Sequence, residues 1–221
     1  MSSIEDKWVQ AIFNWADKNN ISDLEWIEHD SYLKSGYFRG LPRDKKSLLE
    51  LTTLNLLGSQ LHDLPDEIGK LTNLKKLYLL GNKITRLPAT IGQLTNLQEL
   101  YIPGNDLTEL PKEIGNLKKL EQLLLQENSL ERLPTEIGEL SNLKILELGS
   151  NKFTSLPKEI GTLTHLLKLT LWKNKLVELP DEITNLDKLT DFDCIYNKIA
   201  LTQKHVLWLN KLSSNNCDIN L

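Results

Sequence analysis

Two cysteines, four histidines and a single Asn-x-Ser triplet are the residues of this 221-residue chain with the widest chemical repertoire. His29, His62, His165 and His205 lie far apart and lack the short ligand spacing by which neighbouring donors reach one ion, so they are read as surface residues. Asn20-Ile21-Ser22 fits a glycosylation acceptor, which stays idle without a secretory route. Cys194 and Cys217 stand 23 residues apart. No glycine-rich phosphate loop, nucleophile elbow or paired catalytic carboxylate accompanies them. Phosphoryl transfer, triad hydrolysis and metal-assisted hydrolysis each need one of those constellations. The expectation is a protein that is not an enzyme and uses no cofactor and no metal.

Charge narrows the choice further. Thirty acidic and 26 basic residues are mixed along the chain for a net charge of −4. No strong field favours a phosphate backbone or an anionic bilayer, so neither nucleic acid nor membrane is the expected partner. The opening Met1-Ser2-Ser3-Ile4-Glu5-Asp6-Lys7 has early acids and no apolar core of a secretory signal. No apolar run approaches the ~20 residues of a membrane span. A cytoplasmic setting is expected, with export without a cleaved signal as the alternative.

What positions these residues is a repeat. Asparagine recurs at 82, 105, 128, 151, 174 and 197, always 23 residues apart. Around it runs LxxLxLxxNxL, as in Leu74, Leu77, Leu79, Asn82, Ile84; a first copy, Leu51, Leu54, Leu56, Leu61, has Ser59 in the asparagine position. Between these runs lies Leu-Pro-x-x-Ile-x-x-Leu, as in Leu64-Pro65, Ile68, Leu71, with a half copy from Leu41-Pro42. The alternating LxL predicts a short strand with one buried face. Proline, early acids and an Ile and Leu three apart predict a short helical segment. One such coil buries too few aliphatics to offset the entropy of ordering its backbone, so the coils must stack. Each buried asparagine amide is expected to satisfy backbone groups at the bend leaving its strand.

These repeats resemble the leucine-rich-repeat proteins, and within them the 23-residue class of Ras-suppressor-like, Scribble-type and short bacterial members. The resemblance covers roughly residues 41 to 203. It implies an α/β solenoid: a right-handed arc with a concave parallel sheet, convex short helical segments and a helical N-terminal cap. It also implies protein recognition on the concave side, as an adaptor, a regulator or an exported effector, and identifies no partner. Some bacterial relatives carry a ubiquitin-ligase domain, for which the residues after the array leave no room.

Residues 1–40 are assigned to the N-terminal cap, 41–203 to the repeats and 204–221 to a C-terminal cap. Ser2 and Glu5 fit a capping box, and Ile4, Trp8, Ile12 and Trp15 then share a helix face. The aromatic cap, with Phe13, Trp26, Tyr32 and Tyr37, seals the core or forms a recognition surface. Cys194 fills an inward position of the last repeat, and Cys217 the same position if one more coil keeps the period. The pair is then either a disulfide across adjacent strands or two reduced core thiols.

With the fourth and sixth positions of each repeat inward, the fifth and seventh face the partner. They bring Leu57, Tyr78, Leu80, Tyr101, Pro103 and Leu124 side by side, with Trp172, Ile195 and Tyr196 as a second group beyond Gln126, Glu147 and Gly149. Lys76, Glu99, Gln122, Lys168 and Asp191 form a polar rim in the third position. Such a patch, with tyrosine at its centre, marks a contact surface. The expected function is a protein-binding module, monomeric rather than homodimeric; the alternative is a self-associating scaffold.

Overall fold

A computed structural model describes residues 7–27 and 37–221. Helix α1 (Lys7–Lys18) leads into an antiparallel pair, β1 (Glu25–Ile27) and β2 (Tyr37–Arg39), and a short α2 (Lys45–Glu50). Asp44 caps α2 by accepting from the Ser47 N–H, which holds its carboxyl below the ordinary carboxylate range. The coils follow. Their strands are β3 (Thr53–Asn55), β4 (Lys76–Tyr78), β5 (Glu99–Tyr101), β6 (Gln122–Leu124), β7 (Ile145–Glu147), β8 (Lys168–Thr170) and β9 (Asp191–Asp193). Beyond them lie α3 (Gln203–Ser214) and β10 (Asp218–Asn220).

Strands β3 to β10 form one open eight-stranded parallel sheet in chain order. From β3 to β9 the register advances by one repeat per strand, Thr53 against Lys76, Lys76 against Glu99, and onward. The expected helical segments are five-residue 3₁₀ turns, such as Asp66–Lys70 and Lys158–Thr162, each entered through the preceding proline. Tighter than α-helix, such turns suit very short runs. Sheet and turns enclose a continuous core of leucine and isoleucine.

The asparagine column does what its chemistry suggests. Asn105 accepts from the Ile84 N–H at 3.0 Å and donates to the carbonyls of Leu79 and Ile102 at 2.9 and 3.3 Å. Asn82, Asn128, Asn151, Asn174 and Asn197 repeat the arrangement. One amide thus ties its own coil to the one before.

Two readings of the ends need correction. In α1, Val9, Ile12 and Ala16 are buried, and Trp8 and Trp15 pack against the same core partly buried. Ser2, Ile4, Glu5, His29 and Tyr32 lie outside the described residues, as do the side chains of Trp26 and Tyr37. His205, read as a surface residue, is buried at 1% exposure because it closes the capping box of α3: Nδ1 accepts from the Thr202 N–H. His62 and His165 are exposed as expected.

The last correction concerns register. Asp218 pairs with Asp191, an offset of 218 − 191 = 27, where the earlier strands keep 76 − 53 = 23. The twelve-residue α3 replaces a five-residue turn and adds four residues to the coil. Cys217 therefore falls four residues short of the place beside Cys194, and both thiols are free.

Candidate functional site

The fifth and seventh positions of the first four coils converge as the alternation requires. Leu57, Tyr78, Leu80, Tyr101, Pro103 and Leu124 line one depression of about 590 Å³ on the sheet face. Pro103 is buried and the other five are half-buried, so their exposed parts form the lining. Gly58, Gly81 and Gly104 border it. Each has a left-handed backbone, φ 62°, 68° and 61°, which glycine adopts without strain. A Cβ at Gly58 or Gly81 would meet nothing within 4 Å, so this border stands open.

Both tyrosines are held in place. Their rings meet edge to face at 4.9 Å between centroids. The Tyr78 hydroxyl donates to Glu99 Oε2 at 2.6 Å, while Glu99 Oε1 meets Lys76 Nζ at 2.9 Å. The Tyr101 hydroxyl donates to Gln122 Oε1. Burial and the Glu99 hydrogen bond push the Tyr78 phenol far above its ordinary value. Burial, then the charges of Glu99 and Glu147, push Tyr101 up to about 12. The third-position residues thus orient the aromatic rings as well as edging the patch. Sequence reasoning missed this link, whose signal was the pairing of tyrosine with a hydrogen-bonding residue one repeat later.

The second group is more dispersed. Trp172 lies so closely over Gly149 that a Cβ there would come within 2.1 Å of the indole Nε1. Only glycine leaves that seat open, and the indole extends towards the first group across the gap expected to divide them. Ile195 is half-buried and donates its N–H to Asp193 Oδ1 at 3.1 Å. Tyr196 is 77% exposed on a left-handed backbone with φ 58°. Between these coils Lys168 bridges Glu147 and Asp191, both at 3.1 Å. Burial opposes its charge, but the two carboxylates more than compensate and raise its pKa.

Nucleophilic chemistry finds little support at the thiols. Burial, then Asp193, pushes Cys194 up to about 12, which keeps it protonated. Burial and the carboxylates of Asp191 and Asp218 also raise Cys217. Among the described residues no group of three or more His, Cys, Asp or Glu is placed to hold a metal ion. No helix among them is long and apolar enough to cross a membrane.

Comparison with known proteins bears on the same coils. The family model described as a leucine-rich repeat region matches residues 41–129, and the leucine-rich-repeat model matches residues 142–163. No curated protein matches the chain. A solved leucine-rich-repeat protein of Leptospira interrogans is 34% identical over 78% of this chain and 57% of its own, with a TM-score of 0.55. The plant peptide hormone receptor RGFR1, solved in complex with RGF2, is 35% identical over 70% of this chain and 26% of its own, with a TM-score of 0.61. The functional domain of InlJ from Listeria monocytogenes, which includes a cysteine ladder, is 28% identical over 77% and 34% of the two chains, with a TM-score of 0.59. The chain therefore spans little more than half of the first of these proteins and about a third or less of the others.

Proposed function

Because the chain is a leucine-rich-repeat protein, we propose that it is a non-enzymatic module that holds a protein partner against the apolar depression of its concave face. The observation that carries this reading is the convergence of six apolar side chains from four adjacent coils on one depression of about 590 Å³. Tyr78 and Tyr101 are its anchors. Their hydroxyl bonds and mutual contact fix the rings before a partner arrives, so little side-chain entropy is lost on binding. Leu57, Leu80, Pro103 and Leu124 surround them with surface that excludes water. Trp172, Ile195 and Tyr196 form the second contact group. The plant receptor solved in complex with RGF2 supports binding as a use of this scaffold.

An adaptor or regulator fits a rigid face of this kind. The test is affinity capture from lysate with wild type and the double variant Tyr78→Ala, Tyr101→Ala, after circular dichroism and light scattering establish that both are folded and monomeric. The expected result is a protein retained by the wild type and lost by the variant. Equal capture would remove the depression from the binding site. A wild-type dimer that the double variant dissolves would assign the face to self-association.

A further inference from the structure

Six lysines among the described residues have carboxylate partners: Lys76, Lys118, Lys144, Lys168, Lys204 and Lys211 are each ion-paired. Of those that have none, four gather on one edge. Lys152, Lys175 and Lys198 occupy the same position in three successive coils, just past the asparagine, and Lys173 precedes Asn174. Coil-to-coil bonds set the column, the N–H groups of Lys152, Lys175 and Lys198 donating to the carbonyls of Leu130, Phe153 and Leu176. All four are exposed, and among the described residues none makes an ion pair. Over residues 150–155, 173–178 and 196–201, where the coils leave the sheet, Glu178 is the only acid. On a chain of net charge −4 these three segments thus carry a local positive excess, four lysines against one acid.

Apolar surface is interleaved with that charge. Val177 is 56% exposed, Tyr196 77% and Leu201 36%. Lys173 and Tyr196 hold left-handed backbones at φ 53° and 58°, which side chains other than glycine rarely adopt. The equivalent positions of the first three coils are Gly58, Gly81 and Gly104. Across the sheet from this edge the sign reverses, with Glu147, Asp191 and Asp193 on the floor and Lys168 alone between them.

We propose that this edge docks an acidic amphipathic helix of a protein partner, its carboxylates on the Lys152, Lys175 and Lys198 column and its apolar side chains on Val177, Tyr196 and Leu201. The spacing agrees. Neighbouring coils repeat at about 4.8 Å, and carboxylates three or four residues apart on a helix stand about 5–6 Å apart. The column is three coils long, which matches the charges on one face of a short helix. A broad polyanion such as duplex DNA or an anionic membrane would also lie against the acidic floor, which repels it. Exposed lysines chiefly speed and orient encounter, while the apolar residues hold what has docked. This surface lies outside the tyrosine depression and does not depend on it.

The test selects a displayed library of random helix-forming segments on the full chain, then measures the recovered peptides by fluorescence anisotropy. The measurements use wild type, the triple variant Lys152→Glu, Lys175→Glu, Lys198→Glu, and the double variant Tyr78→Ala, Tyr101→Ala. Parallel arms use phosphatidylcholine vesicles containing phosphatidylserine, and a duplex DNA. Exposed charge reversals leave the fold intact, which circular dichroism checks. The expected result is enrichment of acids three or four residues apart beside an apolar face, weakened roughly tenfold or more in the lysine variant and unchanged in the tyrosine variant. Selection without acidic enrichment overturns the proposal, as does indifference to the lysine variant. Tighter lysine-dependent binding of vesicles or DNA than of any peptide overturns it too. Loss in the tyrosine variant alone would return the peptides to the depression.

Discussion

At the scale of single residues, the asparagines show how one side chain can serve two coils. Replacing Asn105 by alanine would orphan the Ile84 N–H inside the stack, while the carbonyls of Leu79 and Ile102 would keep only the amides of Asn82 and Asn128. A loss of about 1–3 kcal/mol is expected from chemical denaturation, the cost of one unsatisfied buried donor; a loss near zero would mean that water replaces the amide. Tyr101 makes a second prediction. Its folded pKa of about 12 lies above the ordinary 10, so between those values the folded state holds a proton that the unfolded state has released. Its contribution to stability is complete below pH 10 and declines as pH rises towards 12. Absorbance at alkaline pH should show late-titrating phenols, and Tyr101→Phe should remove one of them. The asparagine role was legible because a recurring polar residue in an apolar frame has few physical explanations. The tyrosine bonds were not, because side-chain reach across strands depends on register and sheet curvature, which a linear pattern does not specify. Trp172 was hidden likewise: its seat is the missing side chain of Gly149.

Among the elements, strands and turns follow from period and proline placement, and only the departures needed the structure. Leucines set three apart do not distinguish a 3₁₀ turn from a turn of α-helix, and the tighter form appears. The larger departure is α3. Thr202 caps it through the His205 N–H, twelve residues become helical, and β10 returns to the sheet four residues late. A fixed period could not foresee that slip, since nothing repeats beyond Asn197 to count from. Its consequence is chemical. Mild oxidation should leave both thiols free, and alkylation of the native protein should modify the partly exposed Cys217 before the buried Cys194. A Cys194 to Cys217 disulfide found by peptide mapping would show that β10 keeps the shorter register.

The whole molecule is a stack in which each coil touches only its neighbours, so damage should spread from where it is made. Ile12 is buried on the face of α1 that covers the start of the stack. Ile12→Ala should cost about 2–4 kcal/mol locally. Hydrogen exchange should accelerate most in the first coils and fade towards β9; uniform acceleration would indicate a single cooperative unit instead. The two faces described above differ in kind on this frame, an apolar depression over the first four coils and a charged edge over the last three. Trp172 stands on the sheet between them, half-buried over Gly149, while Trp208 is buried on the inner face of α3 against Phe192 and Trp8 and Trp15 belong to the cap. An indole so placed is a built-in lamp: its emission colour depends on how much water surrounds it, so whatever settles on this face announces its arrival in light, without any dye attached.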